Sequence, residues 1–156
     1  VNAKKIALIS HKDIRWNNCH IKTVSLLPNV LLKQKALKKN AFECLMLDDQ
    51  GYITEATTSN IWILKKNTLI TTPLTSNILP GVTRKKLIEL AKILNIKVCE
   101  DKFKESDLYK ADNVFITNSS AIILEANKLN GKKLRVSNNQ ILRNIKSEIL
   151  KIINYE

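Results

Sequence analysis

The sequence predicts a mixed α/β domain in which short strands pair through tight turns and helices are set between them. Two observations carry this prediction. From residue 42 to residue 72, short β-branched or aromatic runs alternate with turn formers. The runs cover 42–47, 52–54, 61–64 and 68–72, and the turns are Asp48-Asp49-Gln50-Gly51 and Lys65-Lys66-Asn67. Elsewhere, longer segments place apolar residues three and four apart, as an amphipathic helix requires.

Taken in order, residues 6–9 form a short apolar strand. Residues 10–22 are polar and irregular, with Trp16 and Ile21 as the expected anchors. Pro28 suits a helix first turn, where its missing N–H is harmless, and opens a helix over 27–39 with Leu27, Val30, Leu31 and Ala36 turned inward. The strands between 42 and 72 then read as an antiparallel meander. Thr83 is placed to cap a helix running to about residue 95, with Leu87, Leu90, Ala91 and Leu94 on its inner face. A strand over 96–100, a short helix over 105–109 and a strand over 113–117 follow. After a polar interruption at 118–120 the strand pattern resumes over 121–126. Asn130-Gly131 is a hairpin turn, and an amphipathic helix over 140–153 closes the chain.

Composition narrows the function classes. A chain of 156 residues with 44% hydrophobic content is most simply one domain with a substantial core. No apolar run approaches the ~18 residues of a membrane span, so no membrane partner is expected. The opening residues lack a long apolar centre. Cys19, Cys44 and Cys99 are odd in number and never in CxxC spacing, which points away from a disulfide framework or zinc site and towards reducing cytoplasm. The net charge of +12 invites a nucleic-acid partner. Against this, only four of the 26 basic residues are arginines and the lysines are scattered. Residues 83–96 could begin a helix-turn-helix, but a strand pattern follows where a groove-reading helix is needed. No nucleic-acid partner is expected.

Three stretches carry chemistry. In GYITEATTSNIWIL, Glu55 stands where a strand gives way to a turn of small and hydroxylated residues, a setting that can keep a carboxylate ionised against a cation. In LPGVTR, a Pro-Gly approach leads into a helix whose first turn holds Arg84, Lys85 and Lys86. The helix dipole disfavours cations there, and an anion bound at the free amides would relieve the conflict. The trio Asn118-Ser119-Ser120 supplies hydroxyls at a strand end. Together these describe a pocket for a phosphorylated, nitrogen-containing cofactor. Such chemistry also wants an amine, and composition does not select one among 22 lysines.

The motifs DIRWNNCHIKTVSLLPNVLLKQKA, ECLMLDDQGYITEATTSN, ILPGVTR and VFITNSS, read as a set, resemble the C-terminal, larger domain of class IV aminotransferases, the fold-type IV pyridoxal 5′-phosphate (PLP) enzymes. The resemblance runs from about residue 5 to residue 149. It implies that residues 1–156 form the PLP-binding domain, with strands in a partly barrel-like mixed sheet flanked by helices. DIRW before Lys22 and SLLPNVLLKQKA after it resemble D-amino-acid aminotransferases. Branched-chain aminotransferases usually carry tyrosine where Leu27 stands, and aminodeoxychorismate lyases usually lack DIRW.

Residue by residue, the resemblance makes Lys22 the catalytic lysine that carries PLP and moves the proton. It makes Glu55 the carboxylate that keeps the pyridine nitrogen protonated. Val82, Thr83 and Ser119 become phosphate contacts, Thr58 and Ser59 a cofactor-lining turn, and Leu79 a residue packed on the ring. Arg15 and Ser120 fall on the substrate side. The implied activity is transamination between a D-amino acid of the D-alanine type and a 2-oxo acid. The alternatives are a branched-chain L-amino-acid aminotransferase and a non-catalytic remnant or half of a split protein. The complete protein is expected to be a homodimer, with a separate N-terminal-domain chain as a further expected partner.

Two departures stand out. Ile122-Ile123-Leu124-Glu125 replaces the usual E-I-T-P, and the smaller N-terminal domain, which supplies a phosphate-binding arginine and the substrate-carboxylate groups, has no counterpart. The chain as given is expected not to transaminate by itself.

Overall fold

The computed structural model of the chain describes residues 5–154. The elements are β1 (Ile6–Lys12), α1 (Leu27–Lys38), β2 (Glu43–Leu47), β3 (Ile53–Ala56), β4 (Asn60–Lys65), β5 (Thr68–Thr71), α2 (Val82–Ile93), β6 (Lys97–Glu100), α3 (Glu105–Lys110), β7 (Asn113–Asn118), β8 (Ile122–Leu129), β9 (Lys132–Lys133) and α4 (Gln140–Asn154). The fold is mixed α/β, as the sequence predicts.

The strands form one sheet in the order β3-β2-β1-β8-β7-β4-β5-β6, with β9 on β8. β1 runs parallel to β2 and to β8, and β5 runs parallel to β6. The meander expected over 42–72 is therefore broken in two. β2 and β3 form one antiparallel pair, β4 and β5 another, and β4 takes β7 as its other neighbour. Local turns could fix each hairpin, but not which long-range neighbour each hairpin would choose.

Consecutive strands β3 and β4 stand far apart in the sheet order, yet Ala56 N–H donates to Ser59 C=O across 2.8 Å. The sheet must curl to allow this. The curl also brings its two edges together: Ile53 N–H donates to Phe103 C=O at 3.0 Å, and Tyr52 bridges Lys104 just beyond β6. The result is a half-barrel.

Both faces of the curled sheet are buried. Inside lie Leu8, Leu45, Ile53, Ile61, Ile63, Val114 and Ile116, closed by Phe103 and Leu108. On the outer face Trp62 and Phe115 stack with centroids 5.9 Å apart and pack with Leu87, Leu90, Ile145 and Ile149 of α2 and α4. The alternation Ile61-in, Trp62-out, Ile63-in follows from the two-residue strand period.

α1 differs from its expected orientation. Leu32 and Ala36 are its buried residues, packed on Ile9, Cys44 and Met46, while Leu27, Val30 and Leu31 face outward. Four apolar positions within one turn and a half left the register undetermined. Trp16 and Ile21, expected as anchors, are 45% and 50% exposed. α2 keeps its predicted face, although Gly81 and not Thr83 is its N-cap and no side chain caps it.

Leu87→Ala, fully buried between sheet and α4, should cost about 2–5 kcal/mol through lost transfer and a residual cavity. Ile93→Ser at the 75% exposed end of the same helix should stay within about 0.5 kcal/mol. Denaturant unfolding midpoints of both variants check this pair.

Candidate cofactor site

One cavity of about 500 Å³ opens where the β1–α1 loop, the end of β3, the start of α2 and the end of β7 converge. Its lining includes Arg15, Lys22, Glu55, Thr58, Ser59, Leu79, Val82, Thr83 and Ser119. Ser120 alone among the residues singled out from the sequence is not part of the lining. It sits exposed in the β7–β8 turn, its N–H held by Asn118 Oδ1 at 3.1 Å.

Glu55 is the third residue of β3 and is 5% exposed. Its Oε1 accepts from Arg15 Nη1, and its Oε2 accepts from Leu79 N–H at 3.2 Å and Asn60 Nδ2 at 3.3 Å. The Arg15 side chain is 5% exposed. It is gripped by Asp13 through Nε–Oδ1 at 3.0 Å and Nη2–Oδ2 at 2.7 Å, and it donates to Asn77 C=O at 2.9 Å. Thr54 Oγ1 donates to Asp13 Oδ2 at 2.9 Å and completes the network.

The charges respond accordingly. Burial pushes the Asp13 carboxyl up, but its bonds to Arg15 outweigh this and hold it below the ordinary range. Burial alone would lower Arg15; the two carboxylates raise it instead, so it stays cationic. Glu55 differs from Asp13. Burial lifts it from its ordinary 4.5 to about 7, despite Arg15 and the Leu79 N–H pulling it down. Both members of the Arg15–Glu55 pair therefore shift upward, and the cause lies in sharing: Asp13 already takes most of the guanidinium, so the cation left to Glu55 does not offset its burial.

Lys22 lies on the exposed β1–α1 loop and lines the cavity. The loop is pinned by Cys19 Sγ donating to Trp16 C=O at 2.9 Å and by His20 N–H donating to Ser76 C=O at 3.1 Å. At the other wall, Gly81, Val82 and Thr83 start α2, whose first amides have no intrahelical acceptors. Gly81 suits a close approach here, because a Cβ would press on Asn60 Oδ1, whose amide is held by Glu55 and Leu79 C=O. That close approach couples the helix start to Asn60 and so to Glu55. The basic first turn has a partly different explanation from the expected one. Arg84 turns inward to Thr72 C=O at 3.0 Å and to Glu100, not towards the cavity.

Sequence reasoning missed Asp13, Asn60 and Glu43. Asp13 and Asn60 stand inside the motifs quoted above, and a test of which polar residues flank Glu55 and Arg15 would have raised them. Glu43, a charge inside the apolar run ECLML, is fully buried and accepts from Thr57, Thr58 and Ser59 hydroxyls.

Comparison with known proteins identifies the family. The family model for class IV amino-transferases matches residues 2–129. The D-alanine aminotransferase of Bacillus licheniformis is 36% identical over 129 residues, covering 83% of this chain and 45% of that protein. The branched-chain amino acid aminotransferase of Escherichia coli aligns with a TM-score of 0.81 at 28% identity, over 94% of this chain and 50% of its own. That of Thermoproteus uzoniensis, crystallised with norvaline, shares the fold with a TM-score of 0.89 at 23% identity, over 98% and 52% of the two chains. The chain thus spans about half the length of the relatives it matches. Carrying that family's pattern from β1 to the end of β8, the chain belongs to the class IV aminotransferases.

Proposed function

We propose that this chain is the PLP-binding half of an aminotransferase that exchanges an amino group between a D-amino acid of the D-alanine type and a 2-oxo acid. The observation that carries the proposal is the convergence of Lys22, the buried Glu55 and the open N-terminus of α2 on one cavity. The donor set fits PLP: an amine for its aldehyde, a carboxylate for its ring nitrogen and free amides for its phosphate. The cavity volume of about 500 Å³ is ample for such a ligand.

PLP, when bound, supplies a covalent hold on the amino group and a sink for the electron pair left on the α-carbon. Glu55 would hold the ring nitrogen's proton, and Arg15, bonded to its Oε1, keeps this carboxylate from turning away. Lys22 would hold the cofactor through its amine and would serve as the base that moves a proton. Val82, Thr83 and Ser119 would hold the phosphate, and Leu79 would pack against the ring.

D-alanine specificity is supported by the 36% identity to a D-alanine aminotransferase and by Leu27 in place of the tyrosine usual in branched-chain enzymes. The 28% identity to the Escherichia coli branched-chain enzyme supports the second reading, transfer from branched L-amino acids. Trp16, Ile21 and Leu26 line the cavity yet are about half exposed, and Val24 beside them is 97% exposed. In the complete protein these apolar residues are covered by the remaining domain or a second protomer, which excludes water from the reacting atoms.

Three outcomes test this. Borohydride reduction of the PLP-loaded full-length protein should leave the pyridoxyl group on the Lys22 peptide, and label on Lys33 or Lys35 would refute the assignment. Glu55→Gln should keep that label but slow turnover by ~10²-fold or more, about 2.7 kcal/mol of barrier. D-alanine should be a donor and L-valine a poor one, read with 2-oxoglutarate as acceptor; the reverse would favour the branched-chain reading.

Glu55 also predicts a pH effect in the cofactor-free protein. Its folded pKa, about 7, lies above its ordinary 4.5, so between these values the folded state binds more protons than the unfolded. Its contribution to stability is therefore greatest below about 4.5 and falls as pH rises through 7. The stability difference between wild type and Glu55→Gln should shift against the wild type from pH 5 to pH 8, read from unfolding midpoints at fixed ionic strength.

A further inference from the structure

Glu43 begins β2 and is 0% exposed, yet no step above uses it. Three consecutive hydroxyls, those of Thr57, Thr58 and Ser59, donate to its carboxylate, Ser59 at 3.3 Å. Lys33 of α1 compensates the charge from outside, with Nζ 3.6 Å from Oε1. The turn is held from other sides as well. Thr57 N–H donates to Cys44 C=O at 3.1 Å, and Asn29 Nδ2 donates to Thr57 C=O at 2.8 Å.

A hydroxyl has one proton. Each of these three has given it to Glu43, and Ser59 Oγ additionally accepts from Asn118 Nδ2 at 3.0 Å. All three residues nevertheless line the cavity. What their side chains can still offer a ligand is lone pairs. These hydroxyls have no proton left for a phosphate, and they are backed by a buried carboxylate.

Resting on the cofactor reading above, we propose that Glu43 is a positioning residue: by taking the protons of Thr57, Thr58 and Ser59 it turns this wall of the cavity into an acceptor surface that selects a cationic ammonium over an anion. The phosphate is then left to the opposite wall, where α2 begins, and the ammonium at the 4′ carbon of the aminated cofactor is the group the hydroxyl wall favours.

The test uses the full-length protein stripped of cofactor, with pyridoxamine 5′-phosphate and pyridoxine 5′-phosphate as probes. They share ring and phosphate and differ only in an ammonium or a hydroxyl on the 4′ carbon. Wild type should bind the amine about tenfold more tightly, the advantage of a charge-assisted hydrogen bond. In Glu43→Gln the amide donates to a hydroxyl and releases its proton to the cavity, and Thr58→Val deletes one acceptor at an exposed position, while Ser59 and Lys33 still face the Glu43 oxygen that Thr58 leaves. Both should reduce the amine preference at least about threefold while leaving pyridoxine 5′-phosphate within about twofold, since the phosphate contacts lie elsewhere. Equal weakening of both probes would make Glu43 merely structural and overturn the proposal, as would an unchanged preference. Should Glu43→Gln fail to fold, an unchanged preference in Thr58→Val overturns it alone. If wild type binds neither probe, the cofactor reading itself fails and this inference with it.

Discussion

The burial of Asp13, Arg15 and Glu55 together constrains everything around the cavity. Their side chains are 12%, 5% and 6% exposed, and ions so removed from water destabilise a fold unless hydrogen bonds replace the lost solvation. Here they do. Arg15 is bonded on Nε, Nη1 and Nη2, and Glu55 receives three donors, two of them from outside the ion group. Asp13 follows β1, Glu55 lies in β3, Asn60 begins β4, and Asn77 and Leu79 belong to the segment before α2. One network thus ties four parts of the chain, and removing one member would strand a buried charge on another.

The half-barrel makes that network geometrically available. Glu55 and Asn60 are five residues apart, on strands that pair with different partners. Curling returns β4 beside β3, so Asn60 reaches back to Glu55 and forward to Leu79 C=O at 3.0 Å. Asn60 is the joint between the carboxylate floor and the helix that opens beside it. Gly81 lets the helix come this close, because its missing Cβ leaves the space that Asn60 Oδ1 occupies. The absence of one atom thus lets Glu55 and the start of α2 face the same cavity at close range.

The fold was largely legible in the sequence because its cues are local. The two-residue alternation through Ile61-Trp62-Ile63, the turn at Asp48 with Gly51 at φ 80° and the Asn130-Gly131 turn with φ 49° and 78° each declare themselves within a few residues. What was not legible is long-range. Parallel pairing of β1 with both β2 and β8 leaves no local signature, and the apolar residues of α1 were too many to show which face is buried. At the site, the convergence of Lys22, Glu55 and Thr83 followed from the quoted motifs. The inward turn of Arg84 and the burial of Glu43 did not, since each depends on a partner from another strand.

The arrangement orders the cavity electrically before any bond is formed. Free amides at the start of α2 give one wall a positive potential. Glu55 supplies a negative floor, tempered by Arg15. The hydroxyl turn, its protons committed to Glu43, gives a third surface that accepts. A ligand carrying a phosphate, a protonated ring nitrogen and an amine can satisfy all three in one orientation only. Turned end for end, its phosphate would face the floor carboxylate and its cation the helix start, and both contacts would be repulsive. On the proposed reading, orientation would come from groups set on the sheet and on the start of α2, not from Lys22 on its loop. Lys22 stands on an exposed loop at the edge of this arrangement, while Glu55, Ser59 and Thr83 are buried in the half-barrel, where fixed positions are most easily kept.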